Sequence, residues 1–529
     1  MQVNSKNYKV DWMLLLFLIG ATNVKLYIKL AAVSIYILYC LYRKYRLYSL
    51  QTVHWFYILM PFVGIIGALL HDSFSDEDYL QAYFFGSVYW LLGAIISYLI
   101  YITIKNEPWS VIHNTIKFFF LANALVSLGE LGRMMIDSGN IIPYWDWGPD
   151  MYYGGATGDH ILGITGNISV ANAMVTALGG LYFIFTKELR WALLCIAISM
   201  LCTSNVTIVF TLATLLLIVV FYKDRRSKKY ALYAFILSAG MYPVLTYDNI
   251  QYFETVYNED IKYKEYTEEE LKTLHKITGK EWKPVTDYEI TAQIFKKKNS
   301  NYYKVILSDT FQVSLKNELQ YLKLYNKLKP DKKTSLYPSD DIKKIIEKWY
   351  TLKHEEMPLV TYHNPIKIYT FNQTVNYLFS SPRNVIAGAG TGNFSSKQAI
   401  KTTGLGFQGD YPVHDLYASR SFMEYHMYTL LYVLALPASE HSIINMPNSI
   451  FNQIAGEYGL IGISLFVLLY VGYFLNNRKK INGGWYIFFF VLLCLGFEYW
   501  FEMMSLTVIL ELIIFNMING IDRNNVSQQ

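Results

Sequence analysis

The stretch MPNSIFNQIAGEYGLIGISLF, residues 446–466, places an acid and three amides at the mouth of an apolar run. Asn448, Asn452 and Glu457 are spaced by four and five residues, which puts them on one face of a helix. A carboxyl at a membrane border is costly, so Glu457 is a functional candidate by default. The structural alternative is a cap, because Asn448 is a good N-cap for the helix that follows. More candidates lie upstream, in a tract at about 365–447 where charges thin out and glycine becomes frequent. They are Lys367, Arg383, His414 and Arg420. Arginine offers a fork of donors that suits phosphate, whereas lysine offers a point charge. Histidine titrates near neutrality and suits proton transfer, although an exposed histidine needs no function. Arg133, in GELGRMM, ends an apolar run and could equally be a snorkelling interfacial residue. Asp76-Glu77-Asp78 is an acidic triplet of the kind hard cations favour. An acidic loop is also what topology alone produces, so no metal and no other cofactor is expected.

These residues need elements to hold them. The chain has 529 residues, of which 53% are hydrophobic and only 16% charged. An ordinary soluble domain carries about 25% charged residues. Apolar runs recur at lengths that can cross a bilayer, for which roughly 20 residues of helix are needed. The expected fold is all-α and polytopic, with about 12 spans starting near residues 9, 26, 53, 80, 111, 168, 190, 205, 229, 449, 484 and 503. The four cysteines all fall in apolar runs, which excludes a disulfide framework. Lysine and arginine in short loops favour the cytoplasmic side. RKYR at 43–46, KELR at 187–190, KDRRSKK at 223–229 and NNRKK near 478 all agree with cytoplasmic N- and C-termini. The acidic loop HDSFSDED at 71–78 then lies outside. The chain accordingly divides into spans one to nine (1–247), a large external domain (248–447) and spans ten to twelve with a short tail (448–529). A smaller external segment lies near 131–165.

With that organisation, PNSIFNQIAGEYGLIGISLF resembles the C-terminal signature of the O-antigen ligase and O-antigen polymerase superfamily. GAGTGNF, at 388–394, resembles the glycine-rich turn in that family's large external loop. GITGNISVANAM (163–174) and LCTSNVTIVFTLATLLLIVVF (201–221) resemble two further family segments. The family often has Ser-Arg where this chain has Ser204-Asn205, and an Arg where this chain has Lys367. The ligases carry a His before the Asn of the signature, a place filled here by Met446, which favours polymerase over ligase.

The resemblance implies a metal-independent membrane glycosyltransferase in the bacterial inner membrane. It would polymerise undecaprenyl-diphosphate-linked repeat units into O-antigen, capsule or exopolysaccharide. The alternatives are a ligase that transfers the glycan to lipid A-core, and a flippase. Lipid-linked oligosaccharide, membrane lipid, chain-length regulators and flippase proteins are the implied partners; nucleic acid is not. The acceptor hydroxyl attacks the anomeric carbon, and lipid diphosphate leaves. Charge on that diphosphate suits Arg383 first, then Arg420, Arg133 and Lys367. The glycine-rich turn could add backbone N–H groups. Proton removal suits His414, with Glu457 beside the site and His426 and Glu424 as reserves. Asn448 and Asn452 complete the expected substrate face.

Overall fold

The computed structural model describes residues 9–145, 160–166, 168–246, 348, 366–403, 416–427, 429–430 and 449–526. His414, Asn448 and most of the expected external domain 248–447 lie outside the described residues. Among the described residues the chain is all-helical. Its first part comprises α1 (Trp12–Thr22), α2 (Leu26–Tyr42), α3 (Thr52–Leu70), α4 (Tyr79–Asn106), α5 (Trp109–Ser138), α6 (Ser169–Phe185), α7 (Leu189–Leu201), α8 (Asn205–Phe221) and α9 (Arg225–Leu245). Then come α10 (Ile366–Phe379), α11 (Pro382–Ala387), α12 (Lys397–Thr402) and α13 (Arg420–Tyr425). The last part comprises α14 (Ile450–Leu465), a π-helical turn (Phe466–Val471), α15 (Gly472–Asn477), α16 (Gly484–Leu495) and α17 (Met504–Val526).

Each of the twelve expected starts falls within four residues of a helix start. Among the described residues, four helical stretches are long and apolar enough to cross a membrane: Thr52–Leu70, Tyr79–Asn106, Trp109–Ser138 and Ile450–Lys480. Seven more apolar helices run 10–17 residues. Polar residues mark several helix starts: Asp11 and Asp224 accept the N–H groups of Leu14 and Ser227, both at 2.9 Å. Leu38, Leu41, Phe62, Leu69 and Phe84 point outward from the bundle, each well over half exposed. Apolar side chains on the outside are what a lipid-facing bundle requires.

The interior is aromatic. Phe56 and Tyr57 of α3, Trp90 of α4, Tyr470 of the π-helical turn and Phe501 before α17 pack with ring centroids 5.0–6.2 Å apart. Two hydrogen bonds pair polar groups inside this core. Glu511 of α17 accepts the Tyr57 hydroxyl at 2.6 Å, and the Trp90 indole N–H donates to the Tyr458 hydroxyl at 2.6 Å. The second bond ties α4 to α14 at the end of the bundle where the candidate residues gather.

Candidate functional site

The tract 388–394 folds as a tight turn seated on α14. The Ala389 N–H donates to the Gly456 carbonyl and the Gly390 N–H to the Glu457 carbonyl, both at 2.9 Å. The Glu457 carboxylate reaches back into the turn. Its Oε2 accepts the Gly392 N–H at 3.0 Å and its Oε1 the Phe394 N–H at 3.3 Å. Four N–H groups of the turn are therefore engaged by α14, and these four do not face a phosphate as the sequence suggested. Two backbones meet here without side chains between them. Gly388 has φ +65° and Gly459 has φ +57°. A Cβ on Gly388 would lie 2.5 Å from the Glu457 carbonyl carbon, and one on Gly459 would lie 2.6 Å from the Gly388 nitrogen. Gly459 breaks the helical path of α14 at this contact, with ψ −153°.

Further bonds fix the turn to its neighbours. The Tyr79 hydroxyl donates to the Thr391 carbonyl at 3.1 Å, and the Asn393 amide donates to Ser73 Oγ at 3.0 Å. The Tyr417 hydroxyl donates to Asn393 Oδ1 at 2.8 Å. Tyr377 stacks on Phe394 at 4.3 Å, and the His426 ring stands edge-on to Phe394 at 4.4 Å. His426 is buried, and neither ring nitrogen has a hydrogen-bond partner among the described residues. Burial alone pushes its pKa down to about 3, so the ring is neutral across the ordinary range.

The other expected site residues divide by environment. Asn452 is buried and bonds α10: its Oδ1 accepts the Thr374 hydroxyl at 3.2 Å, and its amide donates to the Thr370 hydroxyl at 3.3 Å. Ser449 caps α14, accepting the Phe451 N–H at 3.2 Å, one residue beyond the Asn448 position expected to do so. Lys367, on α10, places its Nζ 3.5 Å from the Phe497 carbonyl and 5.1 Å from the Phe497 ring. Burial pushes its ammonium down to about 7, against the opposing pull of Glu498. Arg383 is exposed and donates to the Leu70 carbonyl at 3.4 Å. Arg420 is 78% exposed and pairs with Glu424 at 2.7 Å. Arg133 is 74% exposed and pairs with Asp137 at 3.5 Å. Asp76 pairs with Lys348 at 3.3 Å. Among the described residues no group of three His, Cys, Asp or Glu side chains could hold a metal ion.

Glu502 escaped the sequence reading. It lies between α16 and α17, and its carboxylate accepts the N–H groups of Lys397 at 2.7 Å and Gln398 at 3.1 Å. Dry surroundings push its carboxyl above the ordinary range, while those two N–H groups and the nearby Lys397 and Lys401 charges pull it down. An acid between two apolar runs was the available signal. Lys29 also escaped notice, although a lysine inside the apolar run LYIKLAAVSIYI carries the same signal. No protein family, curated protein or solved structure matches the chain.

Proposed function

We propose that the chain is an inner-membrane glycosyltransferase that joins undecaprenyl-diphosphate-linked repeat units on the outer face of the membrane. One observation supports this above the others. The two tracts that carry the family resemblance, 388–394 and the start of α14, lock together through Glu457 and the Gly388–Gly459 contact. They form one rigid unit at one end of an apolar bundle. A rigid platform is what a transferase needs to hold two substrates in line.

In the transfer, an acceptor hydroxyl forms a bond to the anomeric carbon while the bond from that carbon to the diphosphate breaks. Lipid diphosphate leaves, and the hydroxyl proton passes to a base. Arg383, exposed beside the platform, is assigned to the leaving diphosphate, and His414 to the proton. Glu457 is a positioning residue in this scheme, since both its oxygens hold the turn. Deletion of the gene in its native host, followed by gel display of surface polysaccharide, tests the proposal. A ladder collapsed to one repeat unit is expected. Free polymer that lacks its lipid A anchor would mean a ligase. Loss of all lipid-linked repeats from the outer leaflet would mean a flippase.

A further inference from the structure

Beside the platform lies a pocket that opens to solvent, with about 420 Å³ of non-atom space counted across the pocket and its open mouth. Thr22 and Val24 come from the α1–α2 connection, Lys29 from α2 and Tyr89 from α4. Lys397, Gln398 and Lys401 come from α12, and Glu502 to Ser505 from the start of α17. Three lysines and one carboxylate thus face a single space. The carboxylate is engaged: Glu502 holds the two backbone N–H groups of α12. Lys29 is only 3% exposed, and its ammonium donates to the Asn23 carbonyl. Two more polar groups line the space without a bond. Gln398 Nε2 and Ser505 Oγ are buried and have no hydrogen-bond partner among the described residues. The two side chains are 4% and 2% exposed.

Unpartnered buried donors cost free energy, and converging ammonium groups repel one another. Both costs vanish when an anion with several acceptor oxygens enters. A divalent cation does not fit three lysines, and an apolar chain does not fit this lining. A single carboxylate answers one lysine, whereas a diphosphate carries charge and oxygens for all three and for the Gln398 and Ser505 donors. Lysine binds phosphate as a point charge and needs no fixed fork geometry.

We propose that this pocket binds a diphosphate group through Lys29, Lys397, Lys401, Gln398 and Ser505. The anion chemistry stands on the pocket alone; the identity of the carrier rests on the function proposed above. Polymerisation joins two lipid-diphosphate substrates, so it requires an anion site apart from Arg383. The pocket supplies one, at the junction of the membrane helices with the segment that carries the glycine-rich turn.

The test is equilibrium binding to the full chain in detergent, read by calorimetry, with inorganic pyrophosphate, undecaprenyl diphosphate and phosphatidylglycerol as separate probes. Lys397 and Lys401 are only partly buried, so Lys397→Gln and Lys401→Gln can be made without emptying the core. Pyrophosphate should bind, with affinity falling as salt rises. Each substitution should weaken it about tenfold or more, the effect of one lost charge-assisted bond. Undecaprenyl diphosphate binding more tightly than phosphatidylglycerol identifies the lipid carrier as the source. Equal binding of the two assigns the site to membrane headgroups and overturns the carrier assignment. No pyrophosphate binding, or unchanged affinity in the Lys397→Gln/Lys401→Gln double variant, overturns the site itself. Binding does not depend on turnover. Diphosphate binding without glycan polymerisation therefore ends the functional proposal and keeps the site; polymerisation without pyrophosphate binding does the reverse.

Discussion

Glu457 and Glu502 do the same mechanical work in different surroundings. Each takes two backbone N–H groups from the segment 392–398 and so ties it to the bundle. Glu457 is wholly enclosed by the turn it holds. Glu502 is only partly buried and faces a space shared with three lysines. An enclosed carboxylate can fix geometry but cannot meet a substrate. A carboxylate at a pocket wall can orient the cations beside it. The pair shows why a buried acid in a membrane protein is not by itself a catalytic group: its partners decide.

The comparison can be broken from the Glu457 side first. Gly388→Ala should have the largest effect. A Cβ there needs φ +65° and would lie 2.5 Å from the backbone of α14. Backbone strain of about 1–3 kcal/mol adds to overpacking of about 1–3 kcal/mol. The expected result is loss of most folded protein, read as monodisperse yield after detergent extraction.

Glu457→Gln comes next. It sets an amide donor against two N–H donors, and an unsatisfied buried group costs about 1–3 kcal/mol. Melting in detergent should drop by several degrees. Glu502→Gln should lower it less, because Glu502 is only partly buried whereas Glu457 is fully enclosed. The same change should strengthen pyrophosphate binding, since it removes the one negative charge facing the lysines.

His426 gives a pH signature. Its pKa is held near 3 when folded, against 6.5 in the unfolded chain. Between those values the unfolded state binds more protons, so stability falls as pH drops from about 6.5 toward 3. The difference in melting temperature between wild type and His426→Phe should therefore shrink or reverse as the pH is lowered from 7 to 4. A difference that stays constant would mean that the ring is solvated.

The smallest effects belong to the exposed pairs. Arg133→Ala and Arg420→Ala break Arg133–Asp137 and Arg420–Glu424, both largely in solvent. Such pairs contribute about 0–1 kcal/mol. Neither change should move the melting temperature by more than a degree or two, a shift that differential scanning can resolve.

Much of the helical framework was legible in the sequence. Apolar runs and polar breaks mark helix ends, so each expected start lies close to an observed one. Length was legible too where the apolar runs near 9 and 190 are short: α1 and α7 run only 11 and 13 residues. The glycine-rich turn and Glu457 both stood out as residues, but their partnership did not. It spans 65 residues of sequence from Gly392 to Glu457, and nothing local records it. The lysine pocket was less legible still. It draws on α2, α4, α12 and α17, and only packing brings Lys29 to Lys397 and Lys401.

The most direct measurement is turnover of lipid-linked repeat units per folded molecule, at sub-saturating substrate, for Glu457→Gln and the Lys397→Gln/Lys401→Gln double variant side by side. We expect the lysine variant to fold at wild-type yield and to polymerise at least about tenfold more slowly, because two charge contacts are lost in the productive complex. We expect Glu457→Gln to lose folded protein, and the molecules that do fold to retain most of their rate. A lysine variant that polymerises at the wild-type rate, or a fully folded Glu457→Gln that is inactive, would contradict the division between a carboxylate that holds the platform and a pocket that holds the diphosphate.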